Sequence, residues 1–250
     1  MKVRLLVAYD GSEFHGFARN DPHPTVGGFL EEQISRVLRE PISVTCAGRT
    51  DRGVHAWGQV VSFEVDSPID APRLARSLNS MGGGSVVIRD VALVDDSFDA
   101  RFSAEWRRYR YTVVHRDVPD PFLRHTAWWV PERLSLDALR QACIPLIGTH
   151  DFAAFCRRPK PAPGAETAPS LVRHVLAADW TDLGDGLLRF EIRATAFCHQ
   201  MVRSIVGTLV EAGRGRLTAA DVESILSRGD RAAVHSIAPP HGLCLWDVGY

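Results

Sequence analysis

The chain has 250 residues, 45 % hydrophobic and 24 % charged, a globular composition that excludes disordered, collagen-like and coiled-coil proteins. At ~150 residues per domain this length makes one large domain or two small ones. Lys plus Arg (29) nearly balances Asp plus Glu (30) for a formal charge of -1, so no whole-molecule field attracts nucleic acid or anionic lipid, and such a partner must be held by a local patch.

Lys2 to Tyr9 is β-rich and stops at Asp10-Gly11-Ser12, which predicts a strand. From Thr25, a candidate N-cap, Val26, Leu30, Ile34, Val37 and Leu38 recur at helical spacing up to Glu40-Pro41. Gly27 and Gly28 weaken the first turn by ~1 kcal/mol each relative to Ala. Ile42 to Cys46 and Gln59 to Val65 are expected as strands joined by the loop Gly48-Arg49-Thr50-Asp51-Arg52-Gly53. A helix over Ala71 to Ser80, a break at Gly82-Gly83-Gly84 and a strand over Val86 to Val94 complete a β-α-β-β-α-β order.

The second half repeats that order with insertions. Arg108 to His115 alternates as a strand, Ser135 to Ile147 is helical, and Val172 to Trp180 and Leu187 to Ala194 flank an Asp185-Gly186 turn. Helices over His199 to Ala212 and Thr218 to Ser227 precede a last strand, Gly242 to Val248. The expected fold is therefore α+β: two ferredoxin-like halves, residues 1–104 and 105–250, sharing a mixed, mostly antiparallel sheet with a central active-site cleft. Arg157 to Ser170 is proline-rich and predicts a solvated surface loop, with a nucleic-acid contact through Arg157, Arg158 and Lys160 as the alternative.

Five cysteines, odd in number, scattered and never in a C-x-x-C pair, argue against a disulfide framework and a zinc knuckle and for a reducing cytosol. The apolar run Leu5 to Tyr9 is too short for a signal segment or a membrane span, so a soluble, cytoplasmic protein with no membrane partner is expected. There is no H-E-x-x-H or paired Cys/His spacing to hold a metal, and no P-loop or G-x-G-x-x-G to hold a nucleotide cofactor.

Arg49, Asp51, Arg52 and His55 crowd one glycine-flanked loop, which taken alone is consistent with a polar turn. On a helical wheel, however, Arg203 falls between Val206, Val210, His199 and Gly207, while Gln200, Ser204 and Glu211 lie on another sector. An arginine among apolar neighbours is partly buried and needs a carboxylate, since an unpaired buried charge costs several kcal/mol. Asp51 is a candidate for that carboxylate, kept ionised as a nucleophile or base. Tyr109 and Tyr111 share one strand face and Arg108 and Arg110 the other. That pattern suits either cross-strand packing or an aromatic stacked on a base with arginines on phosphates.

The segment Ala47-Gly48-Arg49-Thr50-Asp51-Arg52-Gly53-Val54-His55-Ala56 resembles the catalytic loop of the TruA-type tRNA pseudouridine synthases. Tyr9-Asp10-Gly11-Ser12 with Gly16-Phe17, Phe98 to Ala104, Arg108-Tyr109-Arg110-Tyr111, Phe197 to Gly207 and Gly242 to Leu245 resemble the same family in the same order, over nearly the whole chain. The resemblance implies a cofactor-free isomerase that cleaves the glycosidic bond of a tRNA uridine, rotates the uracil and rejoins it through carbon 5, at positions 38–40 of the anticodon stem-loop. It implies a homodimer with tRNA in a basic cleft. Asp51 matches the essential aspartate, Tyr109 the tyrosine stacked on the target base, and Arg203 the basic partner of the aspartate. Arg49 matches the residue filling the space of the flipped nucleotide and Leu243 the apolar pocket wall, while Arg52, His55 and Arg110 complete the expected substrate-binding set. Whether Asp51 attacks carbon 1′ or carbon 6, or acts as a base at carbon 2′ toward a glycal, is not readable from residues; the resemblance implies the glycal route.

Gly16-Phe17-Ala18, Thr25-Val26-Gly27 and Ser80 to Gly84 depart from the family pattern in the RNA-facing first half. They motivate an alternative in which a pseudouridine synthase paralogue takes another RNA or a smaller uridine compound. A non-catalytic RNA-binding protein is the second alternative. It lacks the RNP1 aromatic pattern and has no need of Asp51 with Arg203.

Overall fold

The computed structural model describes residues 1–158, 161 and 167–250. The chain divides into two compact units, one formed by Met1–Arg107 with Cys244–Tyr250 and the other by Arg108–Leu243. The fold is mixed α+β, with strands that pair mostly antiparallel.

In the first unit β1 (Lys2–Tyr9) pairs antiparallel with both β3 (His55–Glu64) and β4 (Val86–Val94). The short β2 (Thr45–Cys46) joins β3 antiparallel, and the last strand, β10 (Leu243–Gly249), runs parallel to β3 with Cys244 opposite His55. The alternation of β1 places Val3, Leu5 and Val7 on its fully buried face. Helices α1 (Val26–Leu38) and α2 (Ala71–Met81) pack on each other, burying Val26, Leu30 and Ile34 of α1 and Leu74 and Leu78 of α2. Thr25 caps α1 by accepting from the Gly28 N–H at 3.2 Å, and Asp70 caps α2 by accepting from the Arg73 N–H at 2.9 Å. Gly27 is tolerated in the first turn because a Cβ there would lie 2.7 Å from the Phe17 carbonyl oxygen, which accepts the Gly27 N–H.

The expected strand over Ile42 to Cys46 shrinks to its last two residues. The N–H of Ile42 donates to the Ser35 hydroxyl and that of Val44 to the Glu31 carboxylate, so side chains of α1 satisfy donors that a ladder would have used. Conversely, β3 begins at His55, four residues before the expected start, because Ala56 pairs with both Tyr9 and Leu245.

The second unit orders its strands β5 (Trp106–Val114), β9 (Leu187–Ala194), β8 (Val172–Gly184), β7 (Gly148–Asp151), with β6 (Trp128–Trp129) parallel to β5. Helices α3 (Leu136–Cys143), α4 (Met201–Gly213) and α5 (Ala219–Arg228) complete it. The helix expected to reach Ile147 ends at Cys143 and tightens into a 3-10 turn over Ile144–Leu146, where Pro145 supplies no N–H. Thr218 and Asp221 form a reciprocal capping box at α5. Phe152, Phe155, Trp180, Phe190, Ile205 and Leu209 are fully buried in this core.

Helix α4 corrects the wheel in one respect. Ser204, placed on a polar sector, is fully buried, as Thr208 nearly is. The Ser204 hydroxyl accepts from Arg231 Nη1 at 2.9 Å, so this sector faces a partner inside the protein rather than water. A second correction concerns the cysteines: Cys156 and Cys198, 42 positions apart, are joined as a disulfide. No spacing rule could reveal the pair, because tertiary packing alone brings the end of a 3-10 turn to the approach of α4. Of the proline-rich loop, Arg157 and Arg158 are exposed, while Lys160 and residues 162–166 lie outside the described residues. Among the described residues no helix is long and apolar enough to cross a membrane.

Candidate active site

Asp51 sits half-buried in the turn between β2 and β3, flanked by the exposed side chains of Arg49 and Arg52. The turn contains little apolar material, and a polar network holds it. The Gln59 side chain, fully buried on β3, donates from Nε2 to the Gly48 carbonyl at 2.7 Å and accepts from the Gly48 N–H at 3.3 Å. The same Nε2 reaches the Tyr9 hydroxyl at 3.3 Å, which shares a 2.7 Å hydrogen bond with the Thr50 hydroxyl. From the other side the loop after β1 clasps the turn: the Phe17 N–H donates to the Thr50 carbonyl at 3.1 Å and the Gly53 N–H to the Phe14 carbonyl at 3.3 Å. The Val54 N–H closes on the Asp51 carbonyl at 3.1 Å. Asp51 is thus carried on a backbone fixed from several directions.

Arg107 is the support that sequence reasoning missed. Arg107 is only 8 % exposed, and its guanidinium donates to the Ala47 carbonyl from Nε at 3.1 Å and Nη2 at 3.0 Å. It also reaches the carbonyls of Arg101 at 2.6 Å and Ala104 at 3.1 Å. One buried cation therefore ties the approach to the Asp51 turn to the segment ahead of β5. The signal was present in the strand period: Arg107 shares the buried face of β5 with Tyr109, Tyr111 and Val113.

His55 is buried at the head of β3, and its Nδ1 accepts from the Gly11 N–H at 3.1 Å. That bond leaves the proton of a neutral ring on Nε2. The Asp10 carboxylate, also 3.1 Å from Nδ1, becomes an ion-pair partner only when the ring is protonated. Burial pushes the nearby Cys46 thiol up to about 11, against the opposing influence of Arg49 and Arg101, so it is protonated at neutral pH.

In the second unit Tyr109 and Tyr111 lie on the buried face of β5. The ring of Phe197 meets Tyr109 edge-on, with centroids 5.0 Å apart and planes at 85°. Tyr111 donates to the Pro239 carbonyl at 2.8 Å. Burial raises its hydroxyl well above the ordinary tyrosine range, with Arg203 acting in the opposite sense, so Tyr111 is a neutral hydrogen-bond donor. Gly242 presses against this ring: a Cβ there would lie 2.5 Å from Tyr111 Cζ. Gly242 and Tyr111 thereby fix the start of Leu243, whose side chain is buried.

Arg203, on the first turn of α4, is partly buried, as its apolar neighbours required. Its Nε donates to the Ala238 carbonyl at 2.8 Å, and the Ala238 N–H returns a bond to the Arg203 carbonyl at 3.0 Å. Arg110 and Arg108, on the opposite face of β5, converge on Glu191 at 2.7 and 3.2 Å. Each therefore has a carboxylate partner already, whereas Arg49 and Arg52 project from the turn.

Asp51, Arg49, Arg52 and His55 thus lie on and beside one turn of the first unit, while Tyr109, Arg110, Arg203 and Leu243 belong to the second, with Arg110 on the face of β5 opposite Tyr109. Among the described residues no group of three or more His, Cys, Asp or Glu side chains is placed to hold a metal ion.

A protein-family model described as tRNA pseudouridine synthase matches residues 5–103 and 142–250. Curated relatives named tRNA pseudouridine synthase A cover the whole chain: 37 % identity with the Exiguobacterium sp. protein, over 98 % of that protein, and 38 % with the Bacillus subtilis protein, over 99 % of it. The Frankia casuarinae protein is 42 % identical over 89 % of its length. Among solved structures, the archaeal box H/ACA sRNP Nop10-Cbf5 complex aligns with 96 % of this chain and 58 % of that one at 10 % identity and a TM-score of 0.38, too distant to carry weight here.

Proposed function

This chain belongs to the tRNA pseudouridine synthase family and converts uridine to pseudouridine in tRNA, and from that premise we propose that Asp51 opens the glycosidic bond of uridines at positions 38–40 of the anticodon stem-loop. Tyr109 and Arg203 complete the catalytic set, Tyr109 stacking on the target base and Arg203 serving as the basic partner of the carboxylate. Arg49, Arg52, His55, Arg110 and Leu243 bind the substrate. The protein acts in the cytoplasm, without a cofactor, as a homodimer, with residues 1–104 and 105–250 as two ferredoxin-like halves, of which the second lends its last strand to the first unit.

The observation that carries this assignment is the braced turn of Asp51, whose backbone is held by Gln59, Tyr9 and the Phe14 to Phe17 segment between two exposed arginines. On the glycal route the Asp51 carboxylate takes the proton from carbon 2′, and the electrons of the N1–C1′ bond leave with uracil. The uracil turns and carbon 5 bonds to carbon 1′ as carbon 2′ regains its proton. Carbon 5 then loses its own proton to solvent and N1 gains one, so the product is an isomer of the substrate. A stem uridine must first be unstacked, at a cost of a few kcal/mol, which Arg49 in the vacated space and Tyr109 on the base offset.

Bulk tRNA carrying tritium at uracil carbon 5 tests the assignment directly. Release of tritium with mapping to positions 38–40 is the expected result, and mapping elsewhere transfers the assignment to another RNA target. Asp51→Asn, which keeps the shape but removes the base, should abolish release while tRNA binding persists. Turnover at the native rate by that variant overturns the role given to Asp51.

A further inference from the structure

The disulfide stands at a junction of the second unit. Cys156 ends the 3-10 turn Ala153–Phe155 and is followed by the exposed Arg157 and Arg158. Cys198 lies three residues before Met201, where α4 begins, and Arg203 sits on the first turn of that helix. The two Cα atoms are 5.8 Å apart, within the range a disulfide spans. The backbone is bonded on both sides of the bridge: the Arg157 N–H donates to the His199 carbonyl at 3.0 Å and the Met201 N–H to the Cys198 carbonyl at 3.1 Å. Phe197, the residue before Cys198, is the ring that meets Tyr109 edge-on.

The two cysteines differ in exposure. Cys156 is 1 % exposed, whereas Cys198 is only partly buried. Of the three cysteines outside the bridge, Cys244 is partly buried, whereas Cys46 and Cys143 are buried and their thiols are pushed up to about 11 and about 12 by burial, which leaves little of the reactive thiolate at those two positions.

We propose that Cys156 and Cys198 are a reversible oxidation site, closed by hydrogen peroxide and opened by a dithiol, which fixes Phe197 against Tyr109 and so sets the rate of isomerisation. The Cys198 thiolate attacks a peroxide oxygen, the O–O bond breaks, and a sulfenic acid forms with release of hydroxide. The Cys156 sulfur then attacks the Cys198 sulfur, and the departing hydroxyl leaves as water with the Cys156 proton. In sum two thiols and one peroxide give one disulfide and two waters, the sulfurs losing the two electrons that the peroxide gains. A dithiol reverses the bridge by thiol–disulfide exchange. The effect on rate rests on the role given above to Tyr109; the existence of the redox pair does not.

Cys156 and Cys198 act here as positioning residues. With the bridge open, the 197–199 segment loses its covalent tie to Cys156 and keeps the Arg157–His199 backbone hydrogen bond and the edge contact of Phe197 with Tyr109, and displacement of a group that orients the base lowers the chemical step more than binding. The test uses the full chain, oxidised with peroxide or reduced with dithiothreitol, with non-reducing peptide mapping and tritium-release kinetics on each form. The expected results are a linked Cys156–Cys198 peptide in the oxidised form and a kcat lower by roughly three- to tenfold after reduction. The KM for tRNA should be nearly constant and kcat restored on reoxidation. Cys156→Ser and Cys198→Ser should hold kcat at the reduced level and ignore peroxide. Absence of the linked peptide, equal kcat in the two forms, or serine variants that still respond overturns the proposal. Tyr109→Leu separates the two readings: native kcat in that variant removes the role of Tyr109, whereas peptide mapping judges the redox pair independently of it.

Discussion

The turn that carries Asp51 and the elements that carry Tyr109 and Arg203 reach rigidity by different physics. Tyr109 sits on a long strand and Arg203 on a helix buried nearly all round, so apolar packing and the ordinary ladders of β5 and α4 do most of the fixing. The Asp51 turn has no comparable apolar anchor. It is held by buried polar side chains, Gln59, Tyr9, Thr50 and Arg107, each with partners within hydrogen-bond distance. A packed element loses stability gradually as methylene groups are removed. A polar brace fails abruptly, because deletion of one partner leaves buried carbonyls and N–H groups unsatisfied at about 1–3 kcal/mol each.

The largest stability effect is expected at Arg107. Arg107→Ala strips donors from the carbonyls of Ala47, Arg101 and Ala104 and should cost roughly 3–5 kcal/mol, summing a penalty of that size over the groups involved. Denaturant unfolding with a fall in midpoint at unchanged slope checks it. A loss below about 1 kcal/mol would show that water replaces the guanidinium and that the brace is not as dry as its burial indicates.

Gln59→Leu comes next. It keeps approximate volume but removes both bonds to Gly48 and the contact with the Tyr9 hydroxyl, at about 2–3 kcal/mol. Because the turn itself loosens, kcat should fall with stability. A variant destabilised by that amount with native kcat would uncouple the brace from the chemistry. In the second unit, Tyr111→Phe removes one bond to Pro239 and leaves the packing in place, so about 1 kcal/mol is expected, visible as a small drop in Tm.

The smallest effect should come from Glu191, which is partly exposed beside Arg108 and Arg110. Burial pulls its carboxyl upward, but the two guanidiniums outweigh that and hold it below the ordinary glutamate value. A carboxyl lowered in the folded state stabilises the protein above its unfolded value, near 4.5. That contribution is lost as pH falls through the folded value. Exposure screens the pair, so Glu191→Gln should cost at most about 1 kcal/mol at neutral pH. The difference between variant and native protein should vanish as the pH drops below the folded value. A difference that persists there would assign the loss to packing rather than charge.

Much was legible in the chain itself. Period-2 and helical patterns located β1, α1 and β9 because each buries one continuous face, a property of neighbouring residues. Thr25 and Thr218 marked helix starts because a cap is a local bond. The ordered motifs around Asp51, Tyr109 and Arg203 carried the family, and the wheel alone showed that Arg203 would be partly buried.

What only the tertiary structure decided are relations between residues far apart in the chain. Thr45 is the first ladder residue after α1 because the side chains of Ser35 and Glu31 take the N–H groups of Ile42 and Val44. The last strand lies parallel to β3, a pairing that its own sequence does not specify. Arg107 binds the carbonyls of Ala47, Arg101 and Ala104, Ser204 turns inward to Arg231, and Cys156 meets Cys198 across 42 positions. Each of these depends on where a distant backbone or side-chain group comes to rest, and local periodicity carries no information about it.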